Sequence, residues 1–218
     1  MKISTQYAAR RLDGQFGFDK HNLVLDFGCG PGFLIDYLIT KQVQVVGVDI
    51  NQDFLDRNRE RYPAQQFILI SNDVTKTTSI LHASLGDQKF DYIILLSVSQ
   101  YFPDTIYLGT VIGMLRQYLS RTGAIVIADV VDSQTLGIID GMAVMAECLK
   151  RGRLFSFLRF VSYLSLSRYR AISRHNKLLS ISSVEMEFIA EQNRMRLTKL
   201  GRMTLHPTRS SYLFNSAG

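Results

Sequence analysis

Short apolar runs, each closing on a polar residue, recur along the first 132 positions of the 218-residue chain. Leu23, Val24 and Leu25 close on Asp26. Val43, Val45, Val46 and Val48, interrupted by Gln44 and Gly47, close on Asp49. Phe67-Ile68-Leu69-Ile70 leads into Ser71-Asn72-Asp73-Val74, Asp91-Tyr92-Ile93-Ile94-Leu95-Leu96 into Ser97, and Thr122-Gly123-Ala124-Ile125-Val126-Ile127-Ala128 into Asp129. Continuous apolar runs of this length, rich in β-branched residues, predict five buried strands. The spacing also predicts a helix over about 33–41 and an amphipathic helix through Leu115 and Leu119, just before the fifth strand. Ser182 with Glu185 makes a capping-box pattern that opens a helix through about residue 192. Residues 194–200 and 209–214 read as two final strands. No internal repeat, low-complexity tract or linker interrupts the order.

The turn after the first strand is unusual. Val24-Leu25-Asp26-Phe27-Gly28-Cys29-Gly30-Pro31-Gly32 places glycines at alternate positions, so side chains are stripped from the loop and a ligand can approach the backbone. The helix that follows points the positive end of its dipole at whatever the loop holds. Such a loop suits a ligand with a carboxylate or phosphate and an extended polar body. A dinucleotide fingerprint needs glycine or alanine three residues after its second glycine, and that position is Phe33. Asp49, at the end of the second strand, can accept from both hydroxyls of a ribose; a plain turn aspartate is the alternative reading.

The D-x-G-x-G-x-G spacing from Asp26 to Gly32 resembles motif I of the class I S-adenosylmethionine-dependent methyltransferases, and matching segments continue in order over roughly residues 20 to 132. The resemblance implies an α/β fold: a Rossmann-like, doubly wound, seven-stranded sheet with an antiparallel C-terminal hairpin, one domain over 1–218. It implies S-adenosyl-L-methionine as cofactor, held by Asp26, Gly28, Cys29, Gly30, Asp49, Ile50, Asn72, Asp73, Val74 and Ser97. Asp73 matches a polar position that meets the adenine amino group, and Cys29 a position often taken by a small residue. Tyr7, Arg10 and Arg11 either fold over the cofactor, where an arginine could pair with its carboxylate, or form a plain N-terminal helix.

Composition adds bounds. No run reaches the roughly 18 apolar residues of a membrane span, and Met1-Lys2-Ile3-Ser4 lacks a signal-peptide pattern. Cys29 and Cys148 are too few for a disulfide framework or a metal site, so the expected setting is a reducing cytoplasm and no metal is expected. The net charge of +6 is concentrated: Lys150, Arg151, Arg153, Arg159, Arg168, Arg170, Arg174 and Lys177 stand in a stretch without acids, and removing these eight leaves −2. The same stretch carries Leu154, Phe157, Leu158 and Val161 at helical spacing. In the family a helical lid over the substrate site is often inserted here, which assigns residues 133–181 to a basic, aromatic insertion. Three readings of its charge stay open: a solvated helix face, capture of an anionic substrate or of a carrier or acidic partner protein, and docking on an anionic membrane surface.

Motifs narrow the chemistry. Ser97-Val98-Ser99-Gln100 lacks the Asn/Asp-Pro-Pro-aromatic signature of nucleic-acid N-methyltransferases, so no nucleic-acid partner is expected. Neither cysteine is placed for cytosine C5 chemistry, and the glutamate pair of protein arginine enzymes is absent. Ser97-Val98-Ser99-Gln100-Tyr101-Phe102-Pro103, with Tyr107-Leu108 following, resembles a region of methyltransferases from natural-product and surface-saccharide biosynthesis. That resemblance implies a small-molecule or carrier-linked hydroxyl or amine as acceptor. Asp129, Tyr101 and His175 are the catalytic candidates, with Gln100, Tyr101 and Asp132 on the substrate side. Asp129 stands open between base, substrate anchor and structural hydrogen bonding, and His175 between catalytic base and plain surface histidine. A rival reading is a protein of this fold that binds the cofactor without transferring methyl, as a cyclase-type catalyst or partner subunit.

Overall fold

The chain alternates strand and helix: α1 (Lys2–Phe16), β1 (Leu23–Phe27), α2 (Phe33–Thr40), β2 (Gln44–Asp49), α3 (Gln52–Arg61), β3 (Gln66–Leu69), α4 (Val74–Leu85), β4 (Phe90–Leu96), α5 (Thr105–Arg116) and β5 (Leu119–Val131). After β5 come α6 (Ser183–Gln192), β6 (Met195–Lys199) and β7 (Arg209–Ser216). The structure, a computed structural model, describes residues 2–132 and 178–216. The strands form one sheet in the order β3-β2-β1-β4-β5-β7-β6. The first five are parallel, and β7 pairs antiparallel with both β5 and β6. This is the expected Rossmann-like sheet with its antiparallel C-terminal hairpin.

Why the runs read as continuously apolar is plain from their packing. Successive residues feed opposite layers: Leu25, Val46, Ile68, Ile93 and Ile125 pack with α4, α5 and α6, while Val24, Val45, Phe67, Ile94 and Val126 pack with α1, α2 and α3. With both faces covered, neither position of the two-residue period can be polar. Order reverses between β1 and β4, which run parallel as neighbours. In doubly wound sheets the ligand crevice opens at that reversal, beyond the C-terminal ends of the strands.

Three local readings need correction or addition. Leu119 sits at helical spacing from Leu115, but α5 ends at Arg116 and Leu119 opens β5. The cause is tertiary: Leu119 pairs with Phe90, and the Phe90 N–H donates to the Tyr118 carbonyl at 2.8 Å. Helices α3 and α4 go unassigned in the sequence, yet Asn51 and Asp73 cap them, accepting from Phe54 N and from Thr75 N and Lys76 N. Residues 178–181, at the end of the assigned insertion, are built into the domain. Leu179 N–H donates to the Gln100 carbonyl at 2.9 Å, Ile181 N–H to the Val131 carbonyl at 2.9 Å, and Ile181 is fully buried. The rest of that insertion, with His175, lies outside the described residues. No helix among the described residues is long and apolar enough to cross a membrane.

Candidate functional site

The glycine loop is clamped on its outer side and open on its inner side. Gly28 and Cys29 N–H groups both donate to the Val48 carbonyl, at 2.8 and 3.0 Å, which ties the loop to β2. Gly28 has φ +80°, and a Cβ there would stand 2.5 Å from Val98 Cγ2. Glycine is therefore required both by conformation and by the approach of the β4 connection. Gly30 also has a positive φ, +50°, but a Cβ there would meet nothing within 4 Å. Packing does not fill that space, so it is where a ligand can reach the backbone.

Asp49 holds the loop in this shape. Its Oδ2 accepts from Gly30 N–H and its Oδ1 from Asn51 N–H, both at 2.8 Å. The residue is buried, and each carboxylate oxygen retains acceptor capacity for a further donor. From the other side Asn58, fully buried on α3, donates from Nδ2 to the Gly30 carbonyl at 2.8 Å. Sequence reasoning missed Asn58. Its signal was present: Asn58 follows Leu55 by three residues and precedes Tyr62 by four, so it lies on the face that α3 buries.

Beside the loop lies an electrostatic strain. Asp26 is 2% exposed, and its Oδ2 is buried with no hydrogen-bond partner. Burial, and after it the Asp49 carboxylate, pushes the Asp26 carboxyl up to about 7. Burial and the same two acids push the Cys29 thiol far above its usual range, which makes it a packing residue rather than a nucleophile. The cradle thus offers an orphaned buried acceptor, a second carboxylate and an open backbone stretch. A cationic, extended, hydroxyl-bearing ligand fits that donor set.

The remaining cofactor-side residues line the C-terminal edge of β2 and β3. Ile50 is 54% exposed next to Asp49. Asp73 is exposed, and Oδ1 is taken by the two α4 N–H groups. The Asn72 carbonyl accepts from Tyr107 Oη at 2.8 Å, Tyr107 packs on Phe102 with ring centres 5.0 Å apart, and Val74 packs against the core at the start of α4.

Across the crevice, at the ends of β4 and β5, Ser97 and Asp129 meet: Ser97 Oγ donates to Asp129 Oδ2 at 2.7 Å. Gln100 Nε2 reaches the Ser97 carbonyl at 3.5 Å, and its Oε1 accepts from Arg209 Nη1 at 3.0 Å. Arg209, on β7, is a second residue that no local pattern singles out; the antiparallel pairing with Val131 brings it here. Tyr101 is 72% exposed, and Asp132 is half-buried just beyond β5. Near the N-terminus, Arg11 Nε donates to the Arg202 carbonyl at 3.1 Å, so α1 is tied to the loop before β7.

Comparison with known proteins agrees with this geometry. A family model described as a methyltransferase domain matches residues 25–125. Trans-aconitate 2-methyltransferase from Rhodopseudomonas palustris (strain BisB18) is 42% identical over 62 residues, 28% of this chain and 24% of that protein, so the match spans about a quarter of the relative's length. Two solved structures share the fold at low identity. An S-adenosylmethionine-dependent methyltransferase from Clostridium acetobutylicum superposes with TM-score 0.62 at 12% identity, covering 98% of this chain and 92% of that one. Magnesium protoporphyrin IX methyltransferase from Synechocystis with bound S-adenosylhomocysteine gives 0.57 at 16% identity, covering 98% and 81%.

Proposed function

We propose that this chain, which carries a methyltransferase domain over residues 25–125 on the class I S-adenosylmethionine-dependent methyltransferase fold, methylates a hydroxyl or amine of a small-molecule or carrier-linked acceptor. The observation that carries this reading is the cradle: an open Gly30 backbone fixed between Asp49 and Asn58, with the unpartnered Asp26 carboxyl beside it.

S-adenosyl-L-methionine, when bound, supplies a methyl group already activated on a positively charged sulfur. What remains for the protein is binding, alignment and charge. Gly28, Cys29 and Gly30 present backbone to the ligand; Asp49 accepts from hydroxyls while keeping its hold on Gly30 N–H. The Asp49 carboxylate makes the cradle anionic, and Asp26, with its carboxyl raised to about 7, adds charge as pH rises past that value; both favour a cationic donor over a neutral product. Ile50 offers an apolar surface beside Asp49, with Asn72, Asp73 and Val74 along the next strand end. Holding donor and acceptor in line supplies on the order of 7–11 kcal/mol in favourable cases. Ser97, Gln100, Tyr101 and Asp129 stand on the acceptor side.

Calorimetric titration with S-adenosylmethionine and S-adenosylhomocysteine tests the reading. Native protein binds both, and Asp49→Ala binds at least about tenfold more weakly, since it loses an acceptor to the ligand and the clamp on Gly30 together. No binding by well-folded native protein would sink the proposal. Formation of S-adenosylhomocysteine in proportion to modified acceptor separates a transferase from a protein that binds the cofactor without methyl transfer.

A further inference from the structure

Two non-glycine residues at the crevice hold left-handed backbone conformations: Ser97 at φ +60° and Asp129 at φ +69°. Ser97 directly follows β4, and Asp129 lies two residues before the end of β5. Such conformations cost free energy and persist where the surroundings enforce them, above all at functional sites. What enforces Asp129 is visible in the strand pairing. Ile127 pairs with Tyr212 and Val130 with Ser210, so Ala128 and Asp129 together stand against Ser211 alone. This is a β-bulge, which inserts one residue and re-aims a side chain. Ile127 and Val130 both pack with α4 and α5, so the bulge resets the alternation and turns Asp129 out of that layer. The residue is 7% exposed; Oδ2 takes the Ser97 hydroxyl, and Oδ1 is buried with no partner. A carboxylate oxygen held this way is set to accept one more hydrogen bond.

We propose that Asp129 Oδ1 receives the proton of the methyl acceptor, with Ser97 as the positioning residue, and that the acceptor therefore presents an O–H or N–H group rather than a carboxylate. This rests on the methyl-transfer reading above. The step balances with a sulfonium methyl donor. A bond forms from the acceptor oxygen or nitrogen to the methyl carbon. The carbon–sulfur bond breaks with its electron pair left on sulfur, and the acceptor proton passes to Asp129 Oδ1. Ser97 Oγ keeps its hydrogen bond to Oδ2 throughout, which fixes the free oxygen toward the acceptor. A carboxylate acceptor would instead bring like charge against an unpartnered buried oxygen, which costs affinity.

The test needs no knowledge of the natural acceptor. Isotope-labelled full chain, saturated with S-adenosylhomocysteine, is titrated with ethanolamine and separately with acetate while the Ser97 and Asp129 amide signals are followed. Ethanolamine should shift both and acetate neither. Asp129→Asn keeps an acceptor for Ser97 and tolerates the left-handed conformation, so its urea midpoint should equal or exceed the native one. Its ethanolamine affinity should nonetheless fall at least about tenfold and its discrimination against acetate vanish. Ser97→Ala, in protein still saturated with S-adenosylhomocysteine, should weaken ethanolamine about threefold or more. Signals that ignore ethanolamine, respond equally to acetate, or respond unchanged in Asp129→Asn would overturn the assignment. The two readings fail separately: loss of S-adenosylhomocysteine binding removes the cofactor reading, and the ethanolamine titration repeated without it still tests the pair.

Discussion

Replacing Asp26 by asparagine should stabilise the free protein while weakening its ligand. A carboxyl raised from 3.8 to about 7 on folding binds its proton more tightly in the native state than in the unfolded chain. Between those two values the native state holds the proton and the unfolded state has lost it, so stability falls as pH rises through that window. At about 1.4 kcal/mol per pH unit over roughly three units, the loss amounts to about 4 kcal/mol, complete above pH 7. Asparagine has the same shape and no charge to bury, so it escapes this loss. Native protein and Asp26→Asn should therefore show similar unfolding free energies near pH 4 and diverge to about 4 kcal/mol by pH 8. In urea the gap is about 1.5 M of midpoint at a slope of roughly 2.5 kcal/mol per molar. Urea unfolding followed by circular dichroism at each pH from 4 to 8 measures it. Parallel profiles for the two proteins would show that folding leaves the Asp26 carboxyl near its ordinary value and would refute the reasoning. Calorimetry on the same samples should show the mutant binding S-adenosylmethionine more weakly, since the orphaned acceptor is gone.

Other substitutions test the cradle piece by piece. Gly28→Ala sets a Cβ 2.5 Å from Val98 Cγ2 at φ +80° and should cost about 1–3 kcal/mol of stability; a chemical-denaturation midpoint equal to native would contradict it. Gly30→Ala meets open space, so it should cost only about 1 kcal/mol of stability yet reduce S-adenosylhomocysteine affinity in calorimetry far more than that strain accounts for. Asn58→Ala frees the Gly30 carbonyl and leaves a buried hole, at about 1–3 kcal/mol, and should weaken cofactor binding without touching any ligand atom. Ser182→Ala removes the cap of α6, far from the crevice, and should lower stability by about 1 kcal/mol, or roughly 2–4 °C in thermal unfolding, with cofactor affinity intact. Its Glu185 partner is held below the usual range by the Ser182 N–H and hydroxyl. The contribution of that carboxylate is present above the unfolded value and lost as pH falls through the folded one, so the thermal gap between Ser182→Ala and native protein should narrow in acid.

What could be read from the chain alone was whatever a strand or loop encodes locally. Leu23-Val24-Leu25 and the valines before Asp49 identify strands because both of their faces are covered, and Ser182 with Glu185 encodes a cap within four residues. The loop from Asp26 to Gly32 was legible because glycine at alternate positions has few other uses. Leu119 misled because helical spacing is satisfied by accident when a helix and a strand are joined by two residues; only the pairing with Phe90 decides it. Arg209 was invisible for a related reason: it acts through a long-range contact with Gln100 that no local pattern announces. Asn58 was missed although helical spacing marked its face of α3 as buried; its contact with Gly30 is what no local pattern shows.

Left-handed non-glycine residues also occur in turns at Gln42 and Arg194, but three conflicts between local preference and observed structure gather at one edge of the sheet. An unpartnered buried carboxyl at Asp26, a left-handed Ser97 and a left-handed, half-satisfied Asp129 stand near the C-terminal ends of β1, β4 and β5. Elsewhere in the same strands the pattern is obeyed residue by residue, down to the split between the two helical layers. None of these features helps stability, since each leaves a buried acceptor unpaired or the backbone strained. Their persistence at adjacent strand ends, on the side where the sheet order reverses, points to a site in which negative charge and exposed backbone are kept ready for a cationic ligand. The strained bulge then reads as part of the same device, because it alone places an unsatisfied carboxylate oxygen on the acceptor side.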